Sequence, residues 1–405
     1  PLQPRAGNEY RIYRMLRFFK AQGYRVIPVV APLPGESIDA TAARALADEF
    51  GNAVLCHRDG RVEYELRELP DVLASLDGDD TALYTAGIDD ESLQSPLLSL
   101  DRTFCHEALI ATTLRLHHAL GSYVLLAEYI WMSRVLPLLH GGVVKVIDTH
   151  DVFSSKAEKV LRYGINDLHV TAEEEAARLG RADIVIAIQP DEARTLQALV
   201  PGRTVVTAGV DVDIVETDAT TTGRRLLYVA SNNSINRKAI QDFLRFAWPD
   251  IRQAVPDAEL VVAGRVADAI TAPPAGVTCL GPVADLRPLY ADARLVINPA
   301  VGGTGLKIKT LEALGHLRPV VSWPSGVEGM PPELAALCVP VRDWYDFARQ
   351  TVRLLQQPAA ASIDSSHRAT LERLTSPDTV YAELAGVLRS AIHARTAPGQ
   401  PARRS

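Results

Sequence analysis

An α/β protein made of two doubly wound domains of similar size is what this sequence predicts, on three observations. Apolar, β-branched runs alternate with amphipathic helical stretches along most of the chain. The alternation breaks once, between residues 209 and 223, where Asp and Thr are frequent and no period holds. The length, 405 residues, suits two or three domains, and two can each bury a full core without disulfides or metals.

Strands of the first series are expected at Tyr24–Val30, Ala53–Cys56, Tyr123–Ala127, Val143–Ile147, Asp183–Ile188 and Thr204–Thr207. Helices are expected between them, among others over Thr103–Leu120 and Thr171–Leu179. Thr171 and Glu174 have the spacing of a capping box, in which each side chain satisfies a free N–H of the first turn. The run Glu173–Glu175 reads as a solvated helix start favoured by the dipole. After the linker, strands recur at Arg225–Ala230, Glu259–Ala263, Val277–Leu280, Arg294–Asn298, Pro319–Ser322 and Leu337–Val341. Helices are expected over Asn236–Ala254, Val283–Ala291, Gly305–Leu314 and Trp344–Gln356. The domains therefore fall at 1–208 and 224–375, with one more helix over 376–393 and a Pro-rich basic tail over 394–405.

Composition removes several function classes. Lys plus Arg number 42 against 49 Asp plus Glu, a net −7, which argues against a nucleic-acid partner. No apolar run reaches the roughly 18 residues of a membrane span. Cys56, Cys105, Cys279 and Cys338 lie far apart, without zinc-ligand spacing, so no structural metal is expected and a reducing cytoplasm fits.

The sharpest candidate site runs from Asn298 to Gly315. A buried strand ends at Asn298, a glycine-rich turn follows, and a helix then carries Lys307, Lys309 and Glu312. Glycines permit close backbone approach, and a helix N-terminus offers unpaired N–H groups to an anion. The segment reads as a diphosphate cradle, with Glu312 placed to accept hydrogen bonds from ribose hydroxyls; the Walker spacing is absent. The competing reading is a plain strand–turn–helix with a solvated Lys face. His150 and Asp151 follow the run Val143–Ile147, at the strand end where doubly wound sheets bind ligands; Asp148 and Asp151 are acid/base candidates or ordinary caps. No G-x-S-x-G elbow supports a nucleophilic triad. Between Tyr10 and Arg25, Arg11, Arg14, Arg17 and Lys20 interleave with aromatic residues, either as an ordinary first helix or as one lying on anionic lipid.

Gly303-Thr-Gly-Leu-Lys-Ile-Lys309, continuing through Glu312 to Pro319, resembles the nucleotide-sugar signature of the group 1 (family 4) glycosyltransferases, which have the GT-B fold. Asp257-Ala-Glu-Leu-Val-Val-Ala-Gly264, Leu280-Gly-Pro-Val-Ala-Asp285 and Ser325-Gly-Val-Glu328-Gly329 resemble further segments of that family in the same order. Gly7-Asn8-Glu9-Tyr10-Arg11 and Asp148-Thr-His150-Asp151 are similar to its N-terminal loops. The resemblance implies that the turn of Gly303, Thr304, Gly305 and Leu306, with a basic residue, meets diphosphate. It implies that Glu312 holds ribose and that the base lies near Gly281, Pro282 and Val283. His150 would stand beside the sugar or the reacting hydroxyl, and Gly7 and Asn8 in the loop facing phosphate and acceptor. Retention of configuration without a metal or cofactor is implied, with a nucleotide-sugar donor and a glycan or lipid-linked acceptor, in the cytoplasm or on the inner membrane face.

Thr304 stands where many members have Glu, and Asn236, Arg237 and Lys238 stand where many carry an Arg–Lys pair. The phosphate ligand is one of Arg237, Lys238, Lys307 and Lys309, with Lys309 favoured. The family's usual first strand would lie ahead of Pro1. Two other functions stay open: a non-catalytic module binding nucleotide-sugar or glycan within a larger assembly, and a nucleotide-sugar epimerase.

Overall fold

The computed structural model describes residues 7–34, 40–69, 88, 97–139, 142–215, 223–302, 305–357 and 365–396. The chain forms two α/β bodies. The second contains six parallel strands: β8 (Arg225–Val229), β9 (Glu259–Ala263), β10 (Val277–Gly281), β11 (Leu295–Asn298), β12 (Val320–Ser322) and β13 (Cys338–Pro340). Their order is β10-β9-β8-β11-β12-β13, so the winding reverses between β8 and β11. Residues alternate between two cores. Leu226, Tyr228, Leu260, Val262, Leu295 and Ile297 face one helix layer, whereas Leu227, Val261, Val296 and Val320 face the other. That alternation, with both faces apolar, is what a parallel sheet covered on both sides requires.

The first body has two strand groups. Four parallel strands run in sequence order: β4 (Val124–Glu128), β5 (Val144–Asp148), β6 (Ile184–Ala187) and β7 (Thr204–Thr207). A second group joins β1 (Val29–Val30), β2 (Asn52–Cys56) and β3 (Val62–Leu66). The pairing of β2 with β3 is antiparallel, a hairpin the alternation of strand and helix does not announce. Of the expected strand Tyr24–Val30, only the last two residues pair. The expected helix Thr103–Leu120 is divided into Leu98–Phe104 and Glu107–Leu120. His106 causes the restart: its backbone is extended and its Nδ1 accepts the Leu109 N–H at 3.2 Å, as an N-cap does. The helix expected over Asn236–Ala254 is likewise split at Ala247.

The capping box of Thr171 and Glu174 forms. The solvated reading of Glu173–Glu175 needs correction at Glu175, which is buried and accepts the N–H groups of Phe153 and Ser154 at 2.9 and 2.8 Å, thereby capping a different helix. The basic first helix, Gly7–Ala21, is also corrected. Arg11 is buried against Asp148, and Arg14 against Asp211 and Asp213, while Arg17 pairs with Glu49. Two of the four cations that suggested a lipid-facing surface thus point inward.

These inward cations fasten the start of the linker. Arg11 Nε donates to the Gly209 carbonyl at 3.0 Å, and Tyr381 donates its hydroxyl proton to Asp211 at 2.8 Å. The C-terminal helix Ala382–Thr396 returns to the first body. Leu384, Ala385 and Leu388 cover Val144, Val146, Ile184 and Ile186 together with Met15, Phe18 and Phe19 of the first helix. Glu383 accepts the Thr207 N–H at 2.9 Å and Arg395 pairs with Asp183 at 2.8 Å. Among the described residues no helix is long and apolar enough to cross a membrane.

Candidate active site in the interdomain cleft

Loops and helix starts of the two bodies meet one another. Gly7 begins the first helix, and a Cβ there would meet Ile308 Cδ1 of the second body at 3.2 Å. A Cβ on Gly305 would stand 3.4 Å from the His150 carbonyl oxygen, and one on Gly209 would stand 3.3 Å from Leu306. The donor-side turn and the acceptor-side loops named from sequence therefore share one cleft. Gly303 and Thr304 lie outside the described residues.

In the second body, the helix expected from Gly305 begins at Ile308, with Lys307 at its N-cap and Lys309 in its first turn. Gly305 has φ 71, a conformation suited to glycine. Lys309 Nζ crosses the β8/β11 switch point and donates to Asn236 Oδ1 at 2.5 Å. Asn236 is buried and its own Nδ2 donates to the Ser231 carbonyl at 3.0 Å, so the amide is fixed. Lys309 also lies over the Tyr228 ring at 5.4 Å. Among the described residues no carboxylate pairs with it. Burial, with the nearby Lys307 charge, pushes its pKa down to about 7. A half-buried ammonium without a carboxylate partner is poised to accept an anion.

The other basic candidates separate. Lys307 is buried and donates to the Gly305 carbonyl at 2.6 Å, shaping the turn. Arg237 is exposed and donates to the Asn232 carbonyl at 3.2 Å, and Lys238 pairs with Asp242 at 2.9 Å on the helix surface. Neither joins Lys309. Glu312 lies one turn beyond Lys309 on the same helix, and burial raises its pKa to about 7, partly offset by Tyr290. Gly281, with φ 65, ends β10, and Pro282 and Val283 begin the partly exposed loop after it; nothing lies within 4 Å of a Cβ built on Gly281. Behind the turn, Asn298 Nδ2 donates to Thr310 Oγ1 at 3.0 Å, and that hydroxyl donates to the Gly326 carbonyl at 2.8 Å.

In the first body, His150 follows β5 with φ 58, and its ring stacks on Tyr129 with centroids 4.2 Å apart. Tyr129 itself has φ 69. Backbone of this kind in residues bearing side chains costs about 1–3 kcal/mol and collects at functional sites. Asn8 reaches the Tyr129 hydroxyl, whose pKa burial raises. Asp151 faces Lys156 at 3.2 Å and accepts the Val152 N–H at 3.0 Å.

Sequence reading missed a bridge between the bodies. Glu192 is buried and accepts the Gly305 N–H at 3.1 Å, with the Gln189 amide donating to it at 3.0 Å. Burial, reinforced by the charge of Asp151, raises its pKa to about 7. A Cβ on Gly329 would lie 1.6 Å from Gln189 Oε1, so that glycine makes room for the same contact. Glu192 has no motif around it; only its place in the first turn after a strand could have drawn attention.

Residues 223–357 match the family model described as glycosyl transferases group 1. No curated protein matches the chain. Among solved structures, sucrose-phosphate synthase from Thermosynechococcus elongatus is similar with a TM-score of 0.63 and 15% identity, over 96% of this chain and 94% of that one. Anabaena HepE in complex with UDP and glucose gives 0.53 and 15%, over 91% and 100%. TarM gives 0.56 and 13%, over 69% of this chain; the alignment spans 58% of TarM's length. The fold is GT-B: two Rossmann-like domains facing across a cleft.

Proposed function

We propose that this chain is a glycosyltransferase that moves a sugar from a nucleoside diphosphate sugar to a hydroxyl of a glycan or lipid-linked acceptor, with retention of configuration and without a bound metal. The observation that carries the reading is Lys309, half-buried at the switch point, held by Asn236 and facing no carboxylate among the described residues. Doubly wound sheets bind ligands at that point. Lys309 and the N-terminus of its helix stabilise the charge that grows on the leaving diphosphate, the largest contribution available in such a site. Glu312 accepts from the ribose hydroxyls, and the base lies along Gly281–Val283. His150 orients the sugar or the acceptor, and the leaving phosphate takes the acceptor proton. The match over residues 223–357 supports this assignment of the donor side.

HepE is solved with UDP-glucose and with UDP and glucose, and S. aureus TarM with UDP, so a uridine diphosphate hexose is the first donor to try. The four free cysteines fit a cytoplasmic setting. Contact with a membrane face would have to use other cations than Arg11 and Arg14. Phosphorus NMR of nucleotide-sugars incubated with the protein, acceptor and a chelator tests the reading. Nucleoside diphosphate released with an equal amount of glycosylated acceptor supports it. An epimerised sugar without acceptor, or binding without turnover, replaces it by the epimerase or the binding module.

A further inference from the structure

Strands β4 and β5 are neighbours in register, with Glu128 opposite Asp148 at their carboxyl ends. His150 lies two residues beyond, and its left-handed backbone returns the ring over those ends. Its Nε2 is 2.7 Å from Glu128 Oε2 and 3.5 Å from Asp148 Oδ2. Asp148 is engaged elsewhere, by the buried guanidinium of Arg11. Tyr129 fixes the ring plane by stacking, and its own N–H donates to the Asp148 carbonyl at 2.8 Å. Among the described residues Nδ1 makes no hydrogen bond.

We propose that Glu128 is the positioning residue of this site: its carboxylate accepts the Nε2–H of His150, and so assigns Nδ1 as the nitrogen offered to the substrate. The charges around the pair favour this arrangement. The Arg11 guanidinium is taken by Asp148, so the Glu128 carboxylate needs another proton donor, and the imidazole is the donor within hydrogen-bond distance. Burial and the charge of Asp148 raise the pKa of Glu128, and the hydrogen bond to His150 is the largest influence against them. Asp148 cannot replace Glu128, because its Oδ2 already holds Arg11 and lies 3.5 Å from the ring. The three side chains have ligand atoms close enough to hold a cation, yet the 2.7 Å contact and the neighbouring guanidinium describe a hydrogen bond.

This assignment deepens the glycosyltransferase reading, and its test separates the two. The full chain is labelled with 15N-histidine, and the His150 signals are identified by their loss in His150→Gln. The wild type is expected to carry the proton on Nε2, protected from exchange with water. Glu128→Ala is expected to lose that protection, and Glu128→Gln, which keeps an acceptor oxygen, to retain it. Turnover in Glu128→Ala should fall at least about tenfold in kcat, with the donor KM within about twofold, the size of one lost charge-assisted bond. A wild-type ring protonated on Nδ1 alone overturns the proposal, even if the alanine variant does not fold. So does a folded Glu128→Ala with unchanged ring signals. If no donor is turned over, the ring signals still decide the role of Glu128, and only the glycosyltransferase reading falls.

Discussion

Replacing Lys309 by Met should stabilise the protein alone and weaken donor binding. The lysine pKa falls from 10.5 to about 7 through burial. At 1.36 kcal/mol per pKa unit the ceiling on the native-state penalty near pH 7 is about 5 kcal/mol. Water reaching a half-buried side chain reduces this to about 1–2 kcal/mol. The sign follows from proton counts. Between about pH 7 and 10.5 the unfolded chain holds a proton that the folded chain has released. Stability therefore rises with pH across that window. Met removes the penalty and this pH dependence while keeping most of the side chain's apolar contact. Urea unfolding of both proteins from pH 6.5 to 9.5 should show the variant ahead by about 1–2 kcal/mol at pH 7, with the gap closing as pH rises. The same substitution removes a charge-assisted bond to diphosphate, about 1.5–3 kcal/mol, or roughly a 10- to 150-fold loss of affinity. A variant that is less stable at pH 7, or that binds nucleoside diphosphate as the wild type does, refutes the reasoning.

Glu192→Gln keeps an oxygen for the Gly305 N–H and removes a charge whose pKa is raised to about 7; because the folded state holds the proton longer, wild-type stability falls between about pH 4.5 and 7, so the variant should melt higher at pH 8 and equally at pH 4. Arg14→Ala leaves the nearly inaccessible Asp211 beside no guanidinium and should cost about 3–5 kcal/mol in urea unfolding. Gly264→Ala places a Cβ 2.3 Å from the Ala230 carbonyl oxygen at φ 91, and should lower stability by at least about 1–3 kcal/mol in thermal unfolding.

The alternation of apolar runs with helices was enough to read the six-stranded and four-stranded parallel sheets, whose strands are short apolar segments such as Val144–Asp148 and Leu295–Asn298, but not the hairpin of β2 with β3. The turn after β11 stood out as a candidate site because its glycines, lysines and Glu312 are close together in sequence. The place of His150 just past a strand end was legible, and the structure puts it two residues after β5. Its partner was not: Glu128 is 22 residues away and meets His150 only through the pairing of β4 with β5. The same holds for Arg11, whose partner Asp148 is 137 residues away, so an inward cation looked like an outward one. Phosphate candidates were also beyond local reading. Lys238 and Lys309 carry the same charge, and only the fold sends one to Asp242 and the other to Asn236. The break before His106 was hidden because Cys105 ends one helix and a histidine ring caps the next, with no Gly, Pro or Ser to mark it.

The most direct measurement is calorimetric titration of the four common nucleoside diphosphates into the wild type and Lys309→Met, with a chelator present. One nucleoside diphosphate should bind the wild type, and its affinity should drop at least about tenfold in the variant, the loss expected for one charge-assisted bond. Binding of none of them by the folded wild type, or equal affinity in both proteins, would contradict a diphosphate site at Lys309.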